Sequence, residues 1–194
     1  MGLSKLISLC VMSYSACRLT VRSKATTLIF MRKAVFPGTF DPPTNGHLNL
    51  IERAARLFDV LYVVIAVNQE KKCLFSAEER QEMMTDLLRS YENVEVRPWD
   101  RLIVEFADRN DARVILRGVR ALADFGYEFE LAMTNKQLKP ELEIMFMPTD
   151  PKYFVLRSSA IKEIALYHGD ISTMVPPKVA SALRTRLGVV DNGR

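Results

Sequence analysis

The chain has 194 residues, 48% of them apolar and 26% charged, the balance of an ordinary soluble globular domain with a sizeable core, which excludes disordered and collagen-like classes. Its net charge of +4 suggests nucleic acid or a membrane surface only until it is located: residues 1–30 carry Lys5, Arg18, Arg22 and Lys24 and no acid, and removing those four from the 27 bases leaves 23, equal to the 23 acids. The body is neutral, and neither a nucleic-acid nor a membrane partner is expected.

The first 30 residues hold the excess charge and Cys10 and Cys17, with no clean helical or strand period. Three readings stay open: a secretory or lipoprotein signal, an organellar transit peptide, and a native start at Met31, which is the reading preferred here. Cys10, Cys17 and Cys73 have no ligand spacing and only two histidines exist, so neither a disulfide framework nor a zinc site is expected. A reducing compartment, the cytoplasm, is the default. No run reaches the roughly 20 apolar residues of a membrane helix.

Lys33 to Phe36 reads as a short buried strand, and from Gly46 the apolar positions Ile51, Ala54, Ala55 and Phe58 recur at helical spacing. Val60 to Val67, an unbroken apolar run, reads as a buried parallel strand. Ser76 with Glu79 forms a capping box that opens a helix bearing Met83, Met84, Leu87 and Leu88. A third strand over Asn93–Arg97, a helix over Leu102–Arg109, a fourth strand over Val114–Leu116, a helix over Asp124–Leu138 and a fifth strand over Glu143–Met147 follow. Two short helices start after Ser158-Ser159 and after Pro176-Pro177. This alternation predicts a single α/β domain, a doubly wound parallel five-stranded sheet of Rossmann-like type.

Ligands of such sheets bind at the carboxyl ends of strands, where three segments fall. The first is the turn Pro37-Gly38-Thr39-Phe40-Asp41-Pro42-Pro43-Thr44-Asn45-Gly46-His47, which suits a phosphate: Gly38 and Gly46 carry no Cβ to obstruct it, and His47 lies in the first turn of a helix. The second is Asn68 to Lys72, with Lys71 and Lys72, and the third is Arg117-Gly118-Val119-Arg120, whose two guanidinium groups can share one phosphate cluster if the segment turns into a helix. His168, beside Gly169, reads as a helix C-terminal residue without a role. No Ser-His-Asp set, metal cluster, P-loop or Gly-x-Gly-x-x-Gly run is present. Bound phosphates without a nucleophile suggest transfer between bound substrates. An attacking phosphate, with a second pKa near ~6, needs no general base, so the protein has to align reactants and stabilise charge.

Thr44-Asn45-Gly46-His47 resembles the Thr/His-x-Gly-His motif of the nucleotidylyltransferase superfamily. With Pro37 through His47, Lys71-Lys72, Arg117 to Arg120, Ala123-Asp124-Phe125, Tyr127-Glu128, Ser158-Ser159 and Ile161-Lys162, the stretch from Arg32 to Leu187 is similar to the bacterial phosphopantetheine adenylyltransferases. The resemblance implies one domain over 31–190 preceded by an extension over 1–30, and transfer of AMP from ATP to 4'-phosphopantetheine, giving dephospho-coenzyme A and pyrophosphate. It implies Mg2+ bound through the ATP phosphates, with no metal ligand from the protein, and a homohexamer.

The same resemblance assigns His47 to stabilise the transition state, with Thr39, Lys71 and Arg117 in the reacting region. Phosphopantetheine would meet Thr39, Lys71, Arg117 and Ile103. ATP would meet Thr39, Phe40, His47, Gly118, Val119, Arg120 and Glu128, under a closing segment made of Tyr153, Phe154, Val155, Leu156, Arg157, Ser158 and Ser159. The family commonly has a serine where Arg157 stands, and the leader before Met31 has no counterpart in it. Two other readings remain: a relative with a different phosphate acceptor, such as nicotinamide mononucleotide or a sugar phosphate, and a non-catalytic nucleotide or coenzyme A sensor.

Overall fold

The computed structural model describes residues 31–68, 70–154 and 157–189. The expectations for segment 1–30 and for Val155 and Leu156 lie outside the described residues. Five parallel strands form one sheet: β1 (Lys33–Gly38), β2 (Val60–Ala66), β3 (Val94–Trp99), β4 (Val114–Val119) and β5 (Glu143–Pro148), in the order β3-β2-β1-β4-β5. Helices α1 (Asn45–Ala55), α2 (Ala77–Leu88), α3 (Ile103–Arg109) and α4 (Leu122–Leu138) connect them; a 3₁₀ turn (Pro151–Tyr153), α5 (Ser158–Leu166) and α6 (Pro177–Leu187) follow β5. The strand–helix alternation therefore produces the expected doubly wound α/β sheet.

Side chains of β1 and β2 alternate between two cores. Ala34, Phe36, Leu61, Val63 and Ile65 pack with Leu50, Ile51 and Ala54 of α1 and Met84 and Leu88 of α2. Val35, Tyr62, Val64 and Ile115 pack with Val104, Phe106 and Ala107 of α3. Both faces are covered, which is why these strands read as unbroken apolar runs rather than alternating ones. A third cluster joins Phe75 to Ile161 and Ala165 of α5 and Val179 and Leu183 of α6.

Two boundaries differ from the sequence reading in a way that matters. β1 continues through Pro37 and Gly38, opposite Val64 and Ile65 of β2. β4 does not end at Leu116 but carries Arg117, Gly118 and Val119, opposite Phe146, Met147 and Pro148 of β5. Ladder pairing overrides the turn-like character of glycine and charge there. Arg117 and Arg120 are thus a strand residue and one just past the strand, not two residues of a turn entering a helix. β1 and β4 are neighbours in the sheet although β2 and β3 intervene in the chain, so the crevice of this fold opens between their carboxyl ends.

Candidate active site

A cleft of about 670 Å³ lies at that point, within the size range of small-ligand sites. One wall is the turn after β1. Thr44, buried, is the N-cap of α1, and its Oγ1 accepts from the His47 backbone N–H at 3.2 Å. In return the Thr44 backbone N–H donates to His47 Nδ1 at 3.1 Å. His47 takes the place that glutamate holds in an ordinary capping box, and the box fixes its tautomer. Because Nδ1 accepts, the neutral ring carries its proton on Nε2, the nitrogen left for a ligand.

His47 is half-buried in the cleft wall; burial, together with the charge of Arg120, lowers its pKa to about 4. It is a neutral hydrogen-bond donor at physiological pH, not a base or a cation. No acid occupies the first turn of α1, so the positive end of that helix is left for an anion. The ring packs edge-on to Phe40 with centroids 5.0 Å apart, and Phe40 adopts φ 49°, a left-handed conformation rare for an aromatic residue.

Gly38 acts differently from the sequence expectation. A Cβ on Gly38 would lie 2.7 Å from the Phe40 ring, so the space it leaves is filled by Phe40 rather than kept for a phosphate. A Cβ on Gly118 would meet Leu50 Cδ1 at 2.4 Å, so that glycine lets α1 approach β4. Both shape the site through packing.

The cleft gathers Lys71 and Lys72 from the loop after β2, Arg117 and Arg120 from β4 and its end, and Arg157 and Lys162 from the start of α5. Three carboxylates also line it, each engaged by cations: Asp41 with Lys162 at 2.7 Å, Glu128 with Arg117 at 3.5 Å, and Asp124 with Arg120 at 3.2 Å and Arg157 at 3.0 Å. Six cations against three carboxylates leave a positive field suited to a polyphosphate. Burial lowers the pKa of Arg117 against the opposing pull of Glu128; Arg117 Nε and Glu128 Oε2 form this 3.5 Å ion pair but no hydrogen bond among the described residues. A bound phosphate would accept from Arg117 Nε, and a ribose hydroxyl would donate to Glu128 Oε2.

Two residues that sequence reasoning missed hold these walls together. Burial alone would raise the Asp41 pKa; hydrogen bonds from the Lys162 ammonium and the amides of Leu74 and Phe75 outweigh it and lower the value. Asp41 so ties the phosphate turn to the loop beyond Lys72 and to α5. Arg80 of α2 is 3% exposed, and its guanidinium donates to the carbonyls of Thr39 at 2.7 Å, Ala66 at 3.3 Å and Ser76 at 3.1 Å. It fixes the ends of β1 and β2 from beneath. The one available signal was an arginine two helical turns before Leu88 on the apolar side of α2.

Of the residues singled out from sequence, Thr39, Phe40, His47, Lys71, Arg117, Gly118, Arg120, Glu128, Arg157, Ser158 and Ser159 line this one cleft. Four described residues do not. Ile103 packs half-buried against the α3-side core, Val119 continues the β4 ladder, the Tyr153 ring carries Lys152 over its face at 4.7 Å, and Phe154 is 55% exposed. His168 lies just beyond α5 at φ 61°, the helix-terminating position expected of it.

A tautomer-fixed donor at a helix N-terminus, surrounded by cations at the switch point of a parallel sheet, defines a nucleotide-binding transferase site. The cytidylyltransferase-like family model matches residues 35–164. The chain is 48% identical over 156 residues to a phosphopantetheine adenylyltransferase of Carboxydothermus hydrogenoformans, covering 80% of this chain and 96% of that protein. It is 45% identical over 163 residues to the one of Desulforudis audaxviator, covering 84% and 100%, and 43% identical over 162 residues to that of Desulfosudis oleivorans, covering 84% and 96%. A Vibrio parahaemolyticus protein described as a nicotinate-nucleotide adenylyltransferase shares the fold at 19% identity, with a TM-score of 0.61 over 82% of this chain and 96% of that one. The chain belongs to the phosphopantetheine adenylyltransferase family.

Proposed function

We propose that the chain transfers the AMP moiety of ATP to the phosphate of 4'-phosphopantetheine, releasing pyrophosphate and dephospho-coenzyme A. The observation that carries the chemistry is the Thr44–His47 bond, which leaves a neutral Nε2–H donor in the same cleft as Arg117, Arg120 and Lys71. An oxygen of the acceptor phosphate attacks the α-phosphorus; the bond from that phosphorus to the oxygen bridging to the β-phosphate breaks, and pyrophosphate leaves. With a second pKa near ~6 the acceptor is largely ionised at neutral pH and no base has to be supplied. His47 Nε2–H donates to the non-bridging α-phosphate oxygen as charge gathers there, Thr39 orients the attacking phosphate, and Lys71 and Arg117 hold it.

Asp41, Asp124 and Glu128 are all engaged by cations, and no cluster of acids, histidines or cysteines fit to hold a metal exists among the described residues. In this reading Mg2+ would be held by the triphosphate oxygens and would supply neutralisation of phosphate charge. The activity resides in residues 31–190, and a chain starting at Met31 is expected to retain it. The enzyme works in the cytoplasm; no helix of the described residues is long and apolar enough to cross a membrane. α4 buries Ala132 and Asn135 yet exposes Leu122, Phe129 and Met133 along one face, which further copies of the chain, up to a hexamer, would cover.

The test is pyrophosphate release from ATP with a panel of phosphopantetheine, nicotinate and nicotinamide mononucleotides and sugar phosphates. Turnover confined to phosphopantetheine is expected. Turnover with another acceptor only would replace the substrate, and ATP binding without turnover on any of them would make the chain a sensor.

A further inference from the structure

Arg186, in the last turn of α6, lies outside the cleft yet reaches the loop that carries Lys71 and Lys72 into it. Its Nη1 donates to the Leu74 carbonyl at 2.7 Å, its Nη2 pairs with Glu79 Oε1, and its guanidinium carbon sits 5.0 Å from the centre of the Phe75 ring. The Leu74 carbonyl and the Phe75 N–H belong to one peptide group. That group is clamped on both edges: Arg186 donates to its oxygen, and Asp41 Oδ1 accepts from its N–H at 3.0 Å. A peptide group is planar, so fixing both edges fixes the direction in which the chain runs back from Leu74. Asp41 Oδ2 accepts from the Leu74 N–H at 2.9 Å, and the Cys73 N–H donates to the Lys71 carbonyl at 3.0 Å, which carries that orientation on to Lys71.

We propose that Arg186 is a positioning residue for Lys71: through the Leu74–Phe75 peptide it sets where the Lys71 ammonium stands in the cleft, and with it the affinity for the acceptor phosphate. This rests on the adenylyl-transfer reading, in which Lys71 holds the phosphate of phosphopantetheine. The Phe75 ring, 2% exposed, is seated in the cluster that α5 and α6 form. A buried ring holds Phe75 in place but leaves the peptide before it free to swing about the soft φ and ψ on either side. Arg186 removes that freedom from one edge as Asp41 does from the other. α6 thereby contributes to acceptor binding without touching the acceptor.

The test is calorimetric binding of phosphopantetheine and of MgATP, each alone, to the wild type, Arg186→Met, Arg186→Lys, Lys71→Ala and the Lys71→Ala/Arg186→Met pair. Arg186→Met should weaken phosphopantetheine about three- to tenfold, a part of one charge-assisted phosphate contact, and leave ATP within about twofold. Arg186→Lys keeps a donor for the Leu74 carbonyl but not the flat guanidinium over Phe75, and should recover some of the loss. Once Lys71 is removed, Arg186→Met should cost phosphopantetheine nothing more. Val179→Ala, which loosens the apolar side of α6, should lower the unfolding temperature and leave both affinities within about twofold. Unchanged phosphopantetheine affinity in Arg186→Met, an equal loss for ATP, additive losses in the pair, or the same loss in Val179→Ala overturns the proposal. If Lys71→Ala weakens phosphopantetheine and Arg186→Met does not, the adenylyl-transfer reading stands and only the role of Arg186 falls. If Lys71→Ala changes nothing, the role of Lys71 falls with it.

Discussion

The backbone N–H of Thr44 bonds to Nδ1 of His47 at 3.1 Å, and that single contact determines which ring nitrogen faces the cleft. The residue is at once half of a helix cap and the donor to the reacting phosphate. His47→Ala should lower kcat by roughly a hundred- to thousandfold, the scale of losing one transition-state donor, with little change in ATP affinity. His47→Gln, which can still accept from Thr44 N–H, should recover more of the thermal stability than of the rate. Steady-state kinetics beside thermal unfolding of both variants check this. A retained kcat in His47→Ala would remove the role.

The depressed pKa gives a separate expectation. With a folded value of about 4 against 6.5 for a free imidazole, the unfolded chain takes up the proton first as pH falls. The stability linked to neutral His47 is therefore complete above the free value and is lost between pH 6.5 and about 4. Between pH 5 and 8 the free enzyme should show no titration of this ring, and long-range proton–nitrogen NMR should report the Nε2–H tautomer. The chain has only two histidines, so a His168→Gln variant assigns the signal.

Much of this site is visible in the sequence. The phosphate turn, the first-turn histidine, the Ser76–Glu79 box and the buried strands follow from local spacing, because each depends on residues a few positions apart. What stays hidden depends on distant partners. Asp41 has no role of its own within the turn sequence; Lys162, 121 residues away, supplies the ammonium that gives it one. Arg80 shares its helix face with Met84 and Leu88, and only the approach of Thr39, 41 residues earlier, shows why an arginine is buried there. The extension of β4 through Arg117 and Gly118 is decided by β5.

Replacing Arg80 tests that hidden support. Arg80→Met fits the space but leaves the Thr39 and Ala66 carbonyls without their donor, at a cost of roughly 2–4 kcal/mol for buried groups left unpaired. Denaturant unfolding should show this as a lower midpoint with unchanged slope, and KM should rise for both substrates as Thr39 loosens. An unchanged midpoint would mean that water replaces the guanidinium.

Gly118→Ala should be destabilising through contact with Leu50, by about 1–3 kcal/mol as in other overpacked cores. Pairing it with Leu50→Ala, which removes the atoms that the new methyl meets, should make the double variant more stable than the sum of the two single losses. Additive losses would show that Gly118 serves the backbone path of β4 rather than the approach of α1.

The most direct test of the account follows oxygen. Phosphopantetheine carrying ¹⁸O in its phosphate is incubated with the enzyme and MgATP, and the products are weighed by mass spectrometry. The expected result is dephospho-coenzyme A that keeps every labelled oxygen, one of them now bridging to the AMP phosphorus, with unlabelled pyrophosphate. Label in pyrophosphate, or labelled acceptor recovered unchanged while ATP is bound, would contradict attack by the acceptor phosphate on the α-phosphorus and with it the central claim.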